Sequence, residues 1–360
     1  MPKIGDCELK NMESTSKSIY YLLADLLEVS AIYNNDDQLF FRAQPKIDKK
    51  TAISKIKFRL DRLGFEVTIN EDINGLMVIL KKPKKNRIPY LNILLFFATL
   101  ITMFFAPILL SLDFSYFDQP GAYQERFEFT LSLMAILLFH EFGHYLVGRR
   151  RGVFMSLPYF IPAPNIVGTF GAIIKSKSPF TNRRDLIEVG AGGPIAGFVV
   201  SVIVLCFGLQ GSEIVLSGTE AGLVLGDSLL IKFLSWLIIG PIPEGYDFML
   251  SPAAFAAWVG LLVTMINLLP LGQLDGGHVI YALIGKKQRL VGRIILPIMI
   301  VMGFWWAGWW LFGAMVFMFG INHPPTINDS IELPRHAKII GYCALIIFII
   351  SFIPVPFKMG

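Results

Sequence analysis

The chain has 360 residues, of which 54% are hydrophobic and only 16% charged, and its mean hydropathy is +0.58. A soluble domain carries about a quarter charged residues, so this composition excludes an ordinary soluble enzyme. It points to a polytopic α-helical membrane protein, with several apolar runs near the roughly 20 residues that cross a bilayer. The net charge of +5 would elsewhere suggest a nucleic acid partner. Here the basic residues cluster beside apolar segments, so no nucleic acid is expected and the lipid bilayer is the partner they serve.

Residues 1–16 are polar and mixed in charge, and they read as a flexible tail. They have neither the apolar core of a secretory signal nor the Arg-rich character of a transit peptide, which leaves the first membrane helix as the targeting signal. Residues 17–86 read as a small soluble α+β domain. "SIYYLLADLLEVS" has helical periodicity and "QLFFRAQP" reads as a strand. "DKKTAISKIKFRLDRLGF" reads as a helix with Asp48 as its N-cap. "EVTINED" and "GLMVILKK" alternate as strands around a turn at Asn74-Gly75. The expected order is helix, strand, helix, strand, strand, closed by the basic collar "KKPKKNR" (81–87).

Residues 87–357 read as a transmembrane domain with about six transmembrane helices. Spans are expected at about 88–112, 127–148, 186–209, 252–271 and 339–353, with a bent pair within 290–320. The third contains "EVGAGGPIAGF", whose small residues let helix backbones approach closely. Between the second and third, "MSLPYFIPAPNIVGTFGAIIKSKSPF" is apolar but too broken by Pro and Gly for a helix. It reads as a re-entrant β-like element, or else as an interfacial loop. Non-helical backbone at membrane depth must be buried in protein or line a cavity. "LLIKFLSWLIIG" (229–240) is assigned to the membrane interface, because counting it as a span reverses the helix that follows. The four tryptophans of "FWWAGWW" read as interfacial anchors.

Lys/Arg asymmetry orients the bundle. Lys81–Arg87, Arg149–Arg151, Lys175–Arg184 and Lys286–Arg293 are expected in the cytoplasm, and the acidic 113–128 and 211–250 connections outside. The expected location is therefore the cell membrane, multi-pass, with the N-terminal domain cytoplasmic. The three cysteines, Cys7, Cys206 and Cys343, form no C-x-x-C pair, which argues against a disulfide framework or a thiolate metal site.

"FHEFGHYLV" (139–147) sets His140, Glu141 and His144 in an apolar run. On a helix the two histidines lie one turn apart on one face and supply two ligands of a tetrahedral Zn2+ site. Glu141 is suited to take a proton from a zinc-activated water. The alternative is a chance match of packed histidines. With only five histidines in the chain, and with ionisable groups in hydrocarbon marking function by default, the metal reading is preferred. Val147 stands where the metzincin pattern needs Gly, so the third ligand is sought on a later helix. Asp275, ending the fourth span at the same depth, is the choice, with Glu188 and His278 as rivals. His278 otherwise reads as a supporting residue behind the ligands. Asn267 could hold a substrate backbone or an oxyanion, or form an interhelical hydrogen bond. Gly168 and Phe170, in the re-entrant segment, are expected to pair with the substrate as an added strand. His323 and His336 are given no role.

Through "HEFGH" (140–144), "GGPIAG" (192–197) and "NLLPLGQLDGGH" (267–278) the chain resembles the site-2 protease family of intramembrane zinc metalloproteases, over about residues 128–285. The resemblance implies zinc at His140, His144 and Asp275, Glu141 as catalytic acid/base, and Gly197 as the last residue of a Gly-x-x-x-Asn/Ser/Gly element. The substrate it implies is a single-span transmembrane segment of another membrane protein, cleaved in regulated intramembrane proteolysis. The motif wording and the N-terminal domain look most like the branch of cyanobacteria, archaea and plastids. Three rivals are weighed. A cytosol-facing membrane zinc protease needs an E-x-x-x-D downstream, and no convincing one is present. A metal transporter should show inverted repeats, and none is evident. An inactive scaffold should lack Glu141. The sequence leaves the oligomeric state open.

Overall fold

The computed structural model describes residues 14–35, 38–61, 63–72, 75–81, 89–111, 114–177, 180–216, 223–326 and 328–359. The basic collar beyond Lys81, Asn74 of the expected turn, Asp113, Glu220 and most of the expected tail lie outside the described residues.

The N-terminal region is built from α1 (Ser14–Leu23), β1 (Leu27–Asn35), β2 (Gln38–Pro45), α2 (Lys49–Asp61), β3 (Glu66–Asp72) and β4 (Gly75–Lys81). The strands form one antiparallel sheet in the order β1-β2-β4-β3. Alternate residues of β2 and β4 (Leu39, Phe41 and Ala43; Leu76, Val78 and Leu80) point to one buried face, as a half-buried strand requires. α2 covers that face with Ala52, Ile56 and Leu60, spaced one helical turn apart, and Asp48 caps it by accepting the Thr51 N–H at 3.0 Å. The expected order is corrected by one strand, and the first helix by its bounds. The helix starts at Ser14 rather than after residue 16, and it stops at Leu23, so "LEVSAIYNN" is a further strand. A register shift between Val29 and Ala31 breaks the two-residue alternation of that strand, which hides it from a pattern reading.

The helical region starts with α3 (Tyr90–Phe104) and α4 (Ala106–Ser111). They replace the single first span expected at 88–112. The break falls at Phe105, just before Pro107, which has no N–H to continue the helical ladder. A 3₁₀ turn (Phe114–Asp118) leads to α5 (Ala122–Arg150). The hairpin β5 (Tyr159–Pro162) and β6 (Thr169–Ile173) then precedes α6 (Arg183–Gln210). Among the described residues, α5 and α6, of 29 and 28 residues, are the helices long and apolar enough to cross a membrane by length and composition. At 1.5 Å per residue each spans roughly 40 Å. They cross closely: a Cβ on Gly143 would lie 2.4 Å from the Gly192 carbonyl oxygen.

The 211–250 connection holds β7 (Glu213–Leu216), β8 (Leu223–Leu225), α7 (Leu229–Ile238) and β9 (Tyr246–Met249), with β7 pairing β9. Next come α8 (Pro252–Asn267) and α9 (Asp275–Ile284). α10 (Gln288–Met302), α11 (Gly308–Phe319), α12 (Arg335–Ser351) and β10 (Phe357–Met359), paired to β8, complete the chain. The fourth span is thus shorter than expected. It stops at Asn267, and Asp275 opens a separate helix after a turn instead of ending the span. α10 and α11 are the expected bent pair. Of its tryptophans, Trp305 is exposed, but Trp309 is a core residue whose Nε1–H donates to the Pro354 carbonyl at 2.7 Å.

The bundle core lies where α5, α6 and α8 meet, around Phe129, Leu133, Leu205, Trp258 and Met265. The outer surfaces carry Leu94, Phe97, Phe139, Leu146, Ile203, Phe207 and Leu311, all large, apolar and exposed. Water would penalise such a surface and hydrocarbon would not. The N-terminal region meets the residues just after α5 through Ser18 of α1 and Phe65, just before β3. The Phe154 ring packs edge-on against Phe65 at 5.9 Å, and the Ser18 hydroxyl donates to the Gly152 carbonyl.

Candidate metal centre

α5 carries His140 and His144 four residues apart, so their rings lie one turn apart on the face turned to α6 and α8, edge to face with centroids 5.1 Å apart. Both are buried, at 3% and 5% exposure. α9 supplies the third group from its first residue, Asp275. The glycines after Asp275 are needed because the new helix starts hard against the preceding turn. A Cβ on Gly276 would lie 2.0 Å from the Leu268 oxygen, and one on Gly277 2.3 Å from the Gly272 oxygen.

Three donor atoms converge. His140 Nε2 and His144 Nε2 are 3.3 Å apart, and Asp275 Oδ2 lies 3.4 Å from the first and 3.3 Å from the second. A tetrahedral ion with bonds of about 2.0–2.1 Å separates its ligand atoms by about 3.3–3.4 Å, so the triangle has the edges of one face of such a site. His144 Nδ1 lies 2.8 Å from the Val189 carbonyl oxygen. A carbonyl only accepts, so Nδ1 carries the hydrogen and Nε2 presents a lone pair to the triangle. Two lone-pair nitrogens and a carboxylate oxygen packed together repel one another unless a cation lies between them. The donor set therefore fits zinc. Among the described residues this is the one group of three His, Cys, Asp or Glu donors that could hold a metal ion.

α6 forms the wall behind the rings. A Cβ on Gly197 would lie 2.9 Å from His140 Nδ1, and one on Gly193 only 2.0 Å from His144 Nε2. Gly193 is the first glycine of the Gly-x-x-x-Gly element that ends at Gly197, and from sequence alone it has no role of its own. The wall is fixed at its base. Asn182 caps α6 by accepting the Asp185 N–H, and Asp185 receives Arg151 Nε at 2.8 Å, which ties the end of α5 to the start of α6.

Glu141 is buried beside the triangle but is not one of its corners, and its Oε2 has no hydrogen-bond partner among the described residues. Asn267, the last residue of α8, brings its amide Nδ2 to 3.4 Å from His140 Nε2. The two rival ligands are engaged elsewhere. Glu188 faces Arg184 Nε at 2.8 Å, His336 Nε2 at 3.3 Å and Arg151 Nε at 3.4 Å. His278 Nδ1 is 2.6 Å from His323 Nε2. His323 and His336, given no role from sequence, thus each have a specific partner. Both contacts join residues far apart in the chain, and no local pattern carries them.

The segment with Gly168 and Phe170 is a β-hairpin. Asn92 on α3 donates to the Pro158 carbonyl at 2.7 Å, and Thr102 donates to the Gly168 carbonyl at 2.7 Å. β5 therefore faces α3, while β6 pairs only with β5 among the described residues. Phe170, on β6, is 74% exposed.

A family model for peptidase family M50 matches residues 128–305. Among curated proteins, the chain is 30% identical over 267 residues to a probable chloroplastic zinc metalloprotease, EGY2, of Oryza sativa subsp. indica, covering 70% of this chain and 47% of that protein. It is 30% identical over 276 residues to EGY2 of Arabidopsis thaliana, covering 72% and 47%, and 30% identical over 233 residues to EGY1 of Arabidopsis thaliana, covering 62% and 42%. The chain spans about half the length of the curated relatives it matches. No solved structure matches it. With a donor triangle able to hold a metal ion, two of its corners on an HExxH helix, a matching family model and relatives named as zinc metalloproteases, the chain belongs to peptidase family M50, the site-2 protease family.

Proposed function

We propose that the protein is an intramembrane zinc metalloprotease that hydrolyses peptide bonds within single-span transmembrane segments of other membrane proteins. His140, His144 and Asp275 hold the zinc and Glu141 is the acid–base residue. The observation that carries this reading is the donor triangle, with edges of 3.3 to 3.4 Å, beside a buried carboxylate oxygen with no partner. When bound, zinc supplies the Lewis acidity that polarises the scissile carbonyl and acidifies a water. Glu141 takes the proton of the attacking water and delivers it to the leaving amine. Asn267, at the edge of the triangle, offers its N–H to the substrate carbonyl as negative charge develops there. Gly193 and Gly197 let α6 close over the imidazoles and keep bulk water from them.

A peptide bond in a membrane helix is satisfied by its own helix, so the substrate must unwind before it can be cut. The free edge of β6, with Phe170 beside it, receives the unwound segment as a third strand. The helical region works as the transmembrane metalloprotease domain, residues 87–357 with its core at 128–285, crossing the cell membrane about six times. The N-terminal α+β domain lies in the cytoplasm. In support, Arg149 and Arg150 end α5 with Arg151 next, Arg183 and Arg184 begin α6, and Ser18 of α1 and Phe65, just before β3, contact Gly152 and Phe154 at that same end.

The test is zinc content alongside cleavage of a panel of single-span substrates, for wild type and Glu141→Gln. Retained zinc with lost cleavage is expected. Equal cleavage by both would remove Glu141 from the mechanism.

A further inference from the structure

The loop between α11 and α12 grips the metal-site turn on both sides of Asp275. On one side, Gly272, three residues before Asp275, donates its N–H to the Ile321 carbonyl at 3.1 Å. On the other, His278, one turn into α9, meets His323. Gln288, fully buried, joins the two by donating from Nε2 to the Ile321 carbonyl and accepting the His323 N–H at Oε1, both at 3.1 Å. A glutamine buried in this way with both amide ends satisfied is a fixed strut. The loop is fastened at further points too. Asp329 accepts from Tyr281 and Thr326 at 2.6 Å each, and the Asn328 N–H donates to the Thr181 carbonyl at 2.9 Å.

The hydrogen positions in the histidine pair follow from one contact. His323 Nδ1 lies 2.5 Å from the Pro324 carbonyl oxygen, which can only accept. Nδ1 of His323 is therefore the donor and its Nε2 is the acceptor, so the hydrogen between the rings belongs to His278 Nδ1. The pair is a directed chain from α9 through two imidazoles to the loop backbone. The base of the His278 side chain lies against α6, where a Cβ on Gly190 would lie 2.7 Å from His278 Cβ and 3.5 Å from the Asp275 backbone carbonyl oxygen. With the base of the His278 side chain against Gly190 and its ring bound to His323, the first turn of α9 is held from both sides. That turn sets where Asp275 Oδ2 points.

We infer that His323 is a positioning residue of the metal centre: it accepts the hydrogen of His278, locks the first turn of α9, and so keeps Asp275 Oδ2 on the two imidazoles. This rests on the zinc site proposed above. His323 touches none of the three donors, and its effect passes through His278 and the backbone of α9.

The experiment uses the full chain in detergent. Cobalt(II) and zinc(II) affinities are measured by competition with a chromophoric chelator, and the visible absorption of the cobalt-loaded protein is recorded. His323→Leu is expected to bind both metals about tenfold or more weakly, the cost typical of losing a supporting partner behind a ligand, and to alter the cobalt spectrum. His323→Gln, whose side-chain oxygen can accept where Nε2 does, is expected to restore affinity and spectrum. His323→Asn, which keeps a donor to Pro324 but has no atom at the Nε2 position, should behave like Leu and serves in its place if Leu does not fold. Asp275→Ala is measured beside them. If it loses affinity while His323→Leu and His323→Asn match wild type, the positioning role is overturned and the zinc site stands. If Asp275→Ala binds metal like wild type, the site itself is overturned, and the role of His323 with it.

Discussion

Gly193 stands so close to His144 that a Cβ there would fall 2.0 Å from Nε2, the atom facing Asp275. The backbone of one helix thus touches the metal-facing edge of a ring on another. Gly193→Ala must push the ring aside or part the helices, and is expected to leave the purified protein without stoichiometric zinc and without cleavage activity. Gly197→Ala, with its Cβ at 2.9 Å from His140 Nδ1, should do less. Metal analysis of the two variants after identical purification gives the order, and zinc-replete Gly193→Ala would contradict the packing described.

The tie between α5 and α6 gives a stability prediction. Asp185 is buried, and Arg151 is the cation that approaches it, with Nη2 at 2.6 Å. Removing one partner of a buried ion pair leaves an uncompensated charge and costs about 3–5 kcal/mol. Arg151→Ala is therefore expected to unfold at clearly lower denaturant or temperature, with Arg151→Lys between it and wild type. Unchanged unfolding of Arg151→Ala would mean that Thr181 and Asn182 suffice to hold the carboxylate.

For substrate docking, the informative position is Phe170. Gly168 has φ +79 and packs so tightly that a Cβ would lie 2.3 Å from Met103 Cα. A proline at 168 would break the hairpin whatever the substrate does. Phe170→Pro removes an N–H from β6, whereas Phe170→Ala removes only the ring. Slower cleavage by the proline variant than by alanine, with equal zinc content, is expected from strand pairing. Equal rates would indicate that the substrate does not add to this edge.

The N-terminal domain has its own acid limit. Asp25 receives both Nη groups of Arg59, at 2.6 and 2.7 Å, and those hydrogen bonds hold its carboxyl below the usual value against a smaller opposing effect of burial. A carboxyl lowered on folding stabilises the folded form above its unfolded pKa of about 3.9, and that contribution disappears as pH falls through the lower folded value. The side chain is 52% exposed, so water screens the pair to under about 1 kcal/mol. Hydrogen exchange in the N-terminal sheet of the full chain should be faster in Asp25→Asn than in wild type at neutral pH, and the two should converge in strong acid.

What could be read from the sequence follows the range of each interaction. The metal-site histidines lie on one helix at a spacing the helix itself dictates, so the composition of "HEFGH" was enough to expect them together. Asp275 was expected in the right group but on the wrong element. The stop at Asn267 depends on a turn held by the Gly272–Ile321 hydrogen bond, a contact 49 residues away that no local pattern records. β1 was hidden by its bulge, and His323 by its setting in a polar loop buried only once α9 and Gln288 close on it.

The most direct test of the metal centre is zinc K-edge X-ray absorption on the purified, zinc-loaded chain and on Asp275→Ala. Wild type should show zinc with two imidazole nitrogens and light oxygen ligands at about 2.0–2.1 Å and no sulfur. Asp275→Ala should lose zinc, or show one protein oxygen fewer. Sulfur ligation, or a coordination shell unchanged in Asp275→Ala, would contradict the assignment of His140, His144 and Asp275 as the ligands.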